Sequence, residues 1–452
     1  RSRLSVNKVH PAFRTNRVAR DPRALGDRER PQHEMDSLIP MSKRLIYCDS
    51  TLRNNVGHFA NACRAIVKSA VTHGYTVSVH GARDVEPDLQ RELDIIKTFK
   101  WGLNPNISTD PIIGWLLDYY LERDQMCREL ATIEDVGAGD LMFVNSCTAP
   151  KVAGILAWMT ERTRRGASLP DVFFETPLPP GIRADDPATT DPAATPAVEF
   201  KEAYLYRLAF TERLPENDNF LFPITFDPLT AFDYARIWEF PVHAAPVPFL
   251  IDEAPRARAS TEIQIAFLGH QRRAKGFHLV PELTSRILQE CGDNVKVLIH
   301  DVSPSDMTAE HAALDELAVH NDRVTITRKQ ADSRAWSALL AQSDLIVLPY
   351  SPQRYRHSYS AIMVEAVASA IPMVVPSNTS ISATLDALGG PCTAFDSWDV
   401  ATIFSAVKKA IDGFDTLVEA AVGARANFKE RAGPDNFLRH CEGVRTGLRK
   451  GA

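Results

Sequence analysis

The stretch Ser343–Thr379, SDLIVLPYSPQRYRHSYSAIMVEAVASAIPMVVPSNT, sets the reading of the whole chain. A short apolar run, Leu345–Leu348, ends at Pro349-Tyr350 and polar residues follow. Ala361–Ala370 then has the composition of a helix, and a second apolar run, Met373–Val375, stops at Pro376. Strand, loop, helix, strand is the pattern of a parallel βαβ unit. Ligands of parallel α/β sheets sit beyond the carboxyl ends of the strands, so the loop Ser351–Ser360 and the first helical turn are expected to face one. The free N–H groups of that turn, at Ser360 and Ala361, suit an anion. Glu365, about one turn into the helix, can accept two hydrogen bonds from a vicinal diol such as a ribose. A sugar nucleotide offers both groups. A buried βαβ unit with a solvated Glu365 satisfies the same pattern.

The same alternation extends outward from this stretch. In the second half Glu262–His270, Asn294–His300 and Arg323–Arg328 read as strands, with helices at Phe277–Glu290, Ala309–Val319 and Ser333–Ala341. In the first half Arg44–Thr51, Tyr75–Gly81, Asp140–Ala149, Asp171–Pro177 and Asn219–Phe226 read as strands. Helices are expected at Asn54–His73, Pro150–Thr163, Phe200–Arg213 and Pro228–Trp238. Asp84–Glu134 reads as largely helical, with Trp101, Trp115, Tyr119 and Tyr120 in the core. Pro177–Phe200, rich in Pro, Ala and Asp, reads as a surface loop and a candidate lid. The prolines of Phe240–Phe249 mark an extended connector, and Asp252–Ser260 a domain boundary. Ala401–Ile411, Leu417–Arg431 and Asn436–Leu448 are terminal helices.

The expected architecture is therefore α/β, with two doubly wound Rossmann-like domains facing across a cleft. The first covers 41–250 and the second 261–432, while 433–452 is a C-terminal helix that crosses back to the first. Residues 1–40 carry nine Lys/Arg against five Asp/Glu and four prolines, which reads as a basic, flexible arm. Such an arm offers a contact for an anionic membrane surface or a protein partner.

Composition narrows the function classes. At 452 residues the chain is too long for one ordinary core. Hydrophobic content of 44% and charged content of 24% are those of a globular protein. The absence of an apolar run of about 18 residues and of a signal pattern leads us to expect a cytoplasmic protein. Seven cysteines without C-x-x-C spacing read as free thiols, not as a disulfide framework or a zinc site. A formal charge of −6 gives no general attraction to nucleic acid.

Three further constellations carry chemistry. Gly269–Phe277, GHQRRAKGF, follows a strand and concentrates Arg272, Arg273 and Lys275, the fixed positive charge that a diphosphate leaving group needs. Asn55-Val56-Gly57-His58 lies between the first strand and its helix, where Gly57 lets the backbone approach a bound group. Asn145 and Glu175 fall near carboxyl ends of strands, where a carboxylate can orient an acceptor hydroxyl. No G-x-x-x-x-G-K-[ST] phosphate loop occurs.

Taken together these residues resemble the family-4 retaining glycosyltransferases, which have the two-domain GT-B fold. Gly269 to Lys275-Gly276 resembles the family's G-x(5)-K-G element, which holds the donor diphosphate. Ser358–Ala366 resembles the donor loop and helix, with Glu365 matching the ribose ligand. Asn55–His58 resembles the N-domain glycine turn, HAAPVP the linker, and the Asn436–Leu448 helix the tail that crosses between domains. The resemblance implies a sugar transfer from a nucleoside diphosphate to a glycan, lipid-linked or protein hydroxyl, with retention of configuration. The diphosphate would lie on Arg272, Arg273, Lys275 and the Ser360-Ala361 amides, near Gly57 and Gly269. The acceptor would use Asn55, His58 and Asn145, with Glu175 and His357 as candidate catalytic groups. No cofactor is expected, and no metal, since fixed cations neutralise the leaving group and no Asp-x-Asp motif is present.

Two departures stand out. The family's paired glutamates are eight positions apart, and His357 occupies the first of those positions. His270 stands where many members place arginine. A catalytically silent GT-B module and a GT-B epimerase of UDP-sugars fit the same residues, with an acceptor needed only for transfer.

Overall fold

The first strand, β1 (Lys43–Cys48, KRLIYC), runs from an exposed start into full burial, because its apolar residues are continuous and both of its faces are covered. It opens a series in the computed structural model, which describes residues 43–55, 59–103, 105–180, 197–249, 262–269, 272–302, 307–358, 360–390 and 392–451. The arm at 1–40, Gly57, His58, His270, loop residues 181–196 and the 252–260 boundary lie outside the described residues.

After β1 come α1 (Phe59–Thr72), β2 (Tyr75–Ala82), α2 (Pro87–Leu93), β3 (Ile95–Phe99), α3 (Gly114–Leu130), β4 (Leu141–Val144), α4 (Ala149–Arg164) and β5 (Asp171–Glu175). α5 (Ala197–Phe210), β6 (Leu221–Thr225), α6 (Pro228–Trp238) and β7 (His243–Ala244) complete the first half. Their strands form one parallel sheet in the order β3-β2-β1-β4-β5-β6-β7. The second half contains β8 (Ile263–Phe267), α7 (Val280–Glu290), β9 (Val295–His300), α8 (Thr308–His320), β10 (Val324–Thr327), α9 (Ser333–Gln342) and β11 (Leu345–Val347). It continues with α10 (Ala361–Ala368), β12 (Met373–Pro376), α11 (Ser380–Ala387), β13 (Cys392–Phe395), α12 (Val400–Asp412), α13 (Phe414–Arg431) and α14 (Pro434–Gly451). Its sheet has the order β10-β9-β8-β11-β12-β13, again parallel. Both orders reverse direction beside their first strand, at β1/β4 and β8/β11, and a crevice opens at each reversal.

Three elements depart from the sequence reading. β3 lies inside the stretch expected to be largely helical; only its ends are buried, in the pattern BeeBB, so no clean two-residue alternation marks it. β7 adds a two-residue edge within the proline connector. Trp115 and Tyr120, expected in the core, are 40% and 46% exposed, whereas Tyr119 is buried. The physical reason is that α3 turns two carboxylates inward. Glu122 accepts from Thr148 Oγ1 at 3.3 Å and faces the Lys151 ammonium at 3.9 Å. Glu129 accepts from the Lys100 N–H at 2.8 Å and meets Arg83 at 3.3 Å. With Glu122 and Glu129 inside, the helix presents Trp115, Leu117, Tyr120 and Leu121 to water.

The terminal helix α14 packs on the first half. Phe437 is fully buried in the cluster that holds Leu45, Tyr47 and Phe222, with its ring 5.0 Å from that of Phe143, edge to face. Glu442 accepts from Tyr75 Oη, and Arg445 approaches Asp171 at 3.6 Å. No described helix is long and apolar enough to cross a membrane.

Candidate active site

Two glycines assemble the donor-side loop. Gly276 has φ +75°, and a Cβ there would lie 1.9 Å from the Pro349 carbonyl oxygen, so only glycine lets the turn after β8 rest against the end of β11. Ser351 N–H then donates to Ala274 O at 3.0 Å. Gly269 has φ +96°, and its missing side chain leaves room for Ile362, whose Cδ1 would be 2.4 Å from a Cβ. These contacts press the Arg273–Lys275 turn against the start of α10, whose N-cap Ser360 accepts from Met363 N–H.

The result is a cleft of about 450 Å³ between the halves. Gly269, Lys275, Ser360, Ala361 and Glu365 all line it, so the structure brings together five residues expected at the donor site. Lys275 is partly buried, and desolvation lowers its pKa. Its Nζ stands 5.3 Å from the Tyr350 ring centroid, and no carboxylate among the described residues lies within ion-pair distance. An ammonium held this way is an incomplete pair waiting for an anion. Arg272 and Arg273 sit on the exposed side of the same turn and do not line the cleft.

Glu365 is buried, and burial pushes its pKa up to about 7 against the opposing pull of the Trp336 hydrogen bond and the Lys275 charge. Trp336 Nε1 donates to Glu365 Oε2 at 2.8 Å. The Trp336 ring centroid is 5.8 Å from that of His300, whose Nε2 donates to Lys329 O at 3.0 Å. Tyr355, in the loop expected to face a ligand, lines the cleft, as do Trp336, His300, Gln330 and Asp332, and sequence reasoning missed these last four. The signal that could have found them is positional: His300 is the last residue of β9, and Gln330, Asp332 and Trp336 follow the carboxyl end of β10.

The remaining expected residues lie elsewhere. Asn145 is buried and donates through Nδ2 to Asp49 Oδ2 at 2.8 Å. Glu175 is buried, accepts from Ser146 N–H at 3.1 Å, and has a pKa raised to about 8 by burial. Neither lines the cleft; Pro177 and Leu178, just after Glu175, do so instead. Asn55 accepts from Arg64. His357 is turned away from the cleft into the joint between halves, where its Nδ1 pairs with Asp233 of α6 and its carbonyl accepts from Thr230 Oγ1 at 2.9 Å. A network of the chain's own side chains therefore fills the β1/β4 crevice, while the β8/β11 crevice stays open.

No family profile matches the chain, and no curated protein does. Solved structures do match. Sucrose-phosphate synthase from Thermosynechococcus elongatus superposes with a TM-score of 0.60 at 10% identity, over 91% of this chain and 100% of that one. HepE of Anabaena, solved with UDP and glucose, gives 0.57 at 14% identity over 89% and 99%. The chain has the GT-B fold. A third GT-B match is a Listeria monocytogenes protein provisionally assigned as a UDP-N-acetylglucosamine 2-epimerase, with a TM-score of 0.55 at 10% identity over 90% and 97%. Identities this low carry the GT-B architecture and leave the chemistry to the cleft itself.

Proposed function

We propose that the chain is a glycosyltransferase that moves a sugar from a nucleoside-diphosphate donor to a hydroxyl acceptor, retaining configuration and using no metal. The observation that carries this reading is the Lys275 ammonium without a carboxylate partner among the described residues, lining the same cleft as the first turn of α10 with Glu365 one turn further in. That spacing suits a diphosphate next to a ribose. In the transfer, the bond from the anomeric carbon to the diphosphate oxygen breaks, the acceptor oxygen bonds to that carbon, and the acceptor proton passes to the oxygen of the departing diphosphate. Negative charge grows on the departing diphosphate, where Lys275 and the α10 N–H groups stabilise it. The Glu365 oxygen not held by Trp336 accepts from the ribose diol. Water excluded from the cleft cannot intercept the activated sugar.

The test is a thermal-shift panel of nucleoside diphosphates, uridine first, on the wild type, Lys275→Ala and Glu365→Ala. A ligand that binds only the folded state raises the melting temperature. We expect a base-selective rise in the wild type and a rise at least halved in both variants, with turnover surviving EDTA. Equal rises in all three proteins would sink the site. The Listeria structure motivates a second reading, epimerisation of a UDP-sugar, which product formed without any acceptor would favour.

A further inference from the structure

The two walls of the cleft differ in chemistry. Lys275, Glu365, His300 and Asp332 stand on the second half's wall, whereas the first half offers Phe59, Leu103, Pro177 and Leu178, with Asn61 the one polar side chain among the described residues. The apolar wall continues outside. Leu103 lines the cleft, is itself 37% exposed, and opens the loop that leads into α3. On α3 and just before it, Ile113, Leu117 and Leu121 recur every four residues and so form one stripe, flanked by Ile112 and Tyr120. These five are 46%, 40%, 43%, 80% and 46% exposed. The opposite face of the same helix buries Tyr119, Met126 and Leu130 together with Glu122 and Glu129. Because α3 follows β3 in a parallel sheet, its first turn stands at the carboxyl edge, the edge that carries the cleft.

A contiguous water-facing stripe of this kind is built to be covered. It offers roughly 500 Å² of apolar surface, short of the about 800 Å² per partner that a stable dimer buries. Its charge also discriminates. Between residues 110 and 124 the charged side chains are Asp110, Asp118, Glu122, Arg123 and Asp124, and Arg123 is already paired with Asp124 at 2.6 Å and Glu212 at 2.9 Å. An anionic headgroup would meet repulsion there.

We infer that the acceptor is an uncharged amphiphile. Its hydroxyl enters the cleft past Leu103 and Leu178, and its hydrocarbon chain lies along the Ile113–Leu117–Leu121 stripe. The fate of the hydroxyl rests on the glycosyltransferase reading; the chain site does not.

The experiment titrates wild-type protein with free glucose and with hexyl, octyl and decyl β-glucosides below their micellar concentrations, by calorimetry. Each added pair of carbons is expected to tighten binding roughly tenfold. Leu117→Asn/Leu121→Asn, which changes only half-exposed side chains, should flatten that dependence while leaving the UDP thermal shift at its wild-type size. Binding independent of chain length overturns the inference, as does a double variant that keeps the dependence. Dimerisation of the wild type in light scattering that the double variant abolishes would assign the stripe to a second copy and overturn it equally. Chain-length dependence with no thermal shift from any nucleoside diphosphate would keep the apolar site and remove the transferase reading.

Discussion

Glu365 has two carboxylate oxygens, and Trp336 holds one of them at 2.8 Å. That hydrogen bond favours the ionised carboxylate, against a burial that raises its pKa to about 7. Nucleotide affinity should therefore climb as pH rises through 7, because only the ionised group accepts fully from a diol. Trp336→Phe removes the donor, so the pKa moves further up. A charge-assisted hydrogen bond is worth about 1.5 kcal/mol or more, which is roughly one pH unit. UDP binding to this variant is expected to be about fivefold weaker at pH 7 and close to wild type at pH 9. An equal loss at every pH would mean that Trp336 only packs. At this scale the sequence was legible where the chemistry was local: Gly269, Lys275, Ser360, Ala361 and Glu365 belong to two short segments whose spacing carries the pattern. It was opaque where a side chain's direction decided the outcome. Strand-end reasoning places Asn145 and Glu175 at the right edge but does not say that both turn into the sheet. His357 is explained by Asp233, 124 residues away in sequence.

Among the elements, the strands with continuous apolar runs could be read directly, and the two sheets with them. β3 and the facing of α3 could not, since both depend on where buried charges find partners. The Glu122–Lys151 and Glu129–Arg83 pairs fix the rotation of α3, and no periodicity records them. The turn after β8 is held by sterics in the opposite way. Gly276→Ala would force a Cβ into the Pro349 carbonyl at 1.9 Å, at a φ of +75° that side chains disfavour. The Pro349 oxygen also accepts from Trp398 Nε1 at 2.8 Å, so it cannot retreat freely. We expect this variant to lose about 3 kcal/mol or more in urea unfolding, and to lose the UDP thermal shift even where it remains folded. Wild-type stability would show that the two loops do not meet as described.

For the whole molecule, His357 joins the halves. The buried His357–Asp233 pair and the Thr230 hydrogen bond to His357 O tie α6 to the loop before α10. Asp233→Ala removes the acceptor that His357 Nδ1 pairs with and leaves a buried polar group unsatisfied, which commonly costs about 1–3 kcal/mol. Its expected readout is a larger radius of gyration in small-angle scattering together with the loss of stability; an unchanged radius would confine the pair to local packing. The last helix ties the halves a second time, from the other end of the chain. Glu442 meets Tyr75 across 367 residues of sequence, and at about 5–20 residues per second a ribosome needs roughly 20–70 s to travel between them. Throughout that interval α1 covers part of one face of the first sheet, and the patch beside Phe143 that Phe437 will cover stays open. The half that is made first thus finishes folding last, and a newborn chain must keep an apolar surface out of trouble for about a minute before its own tail arrives to close it.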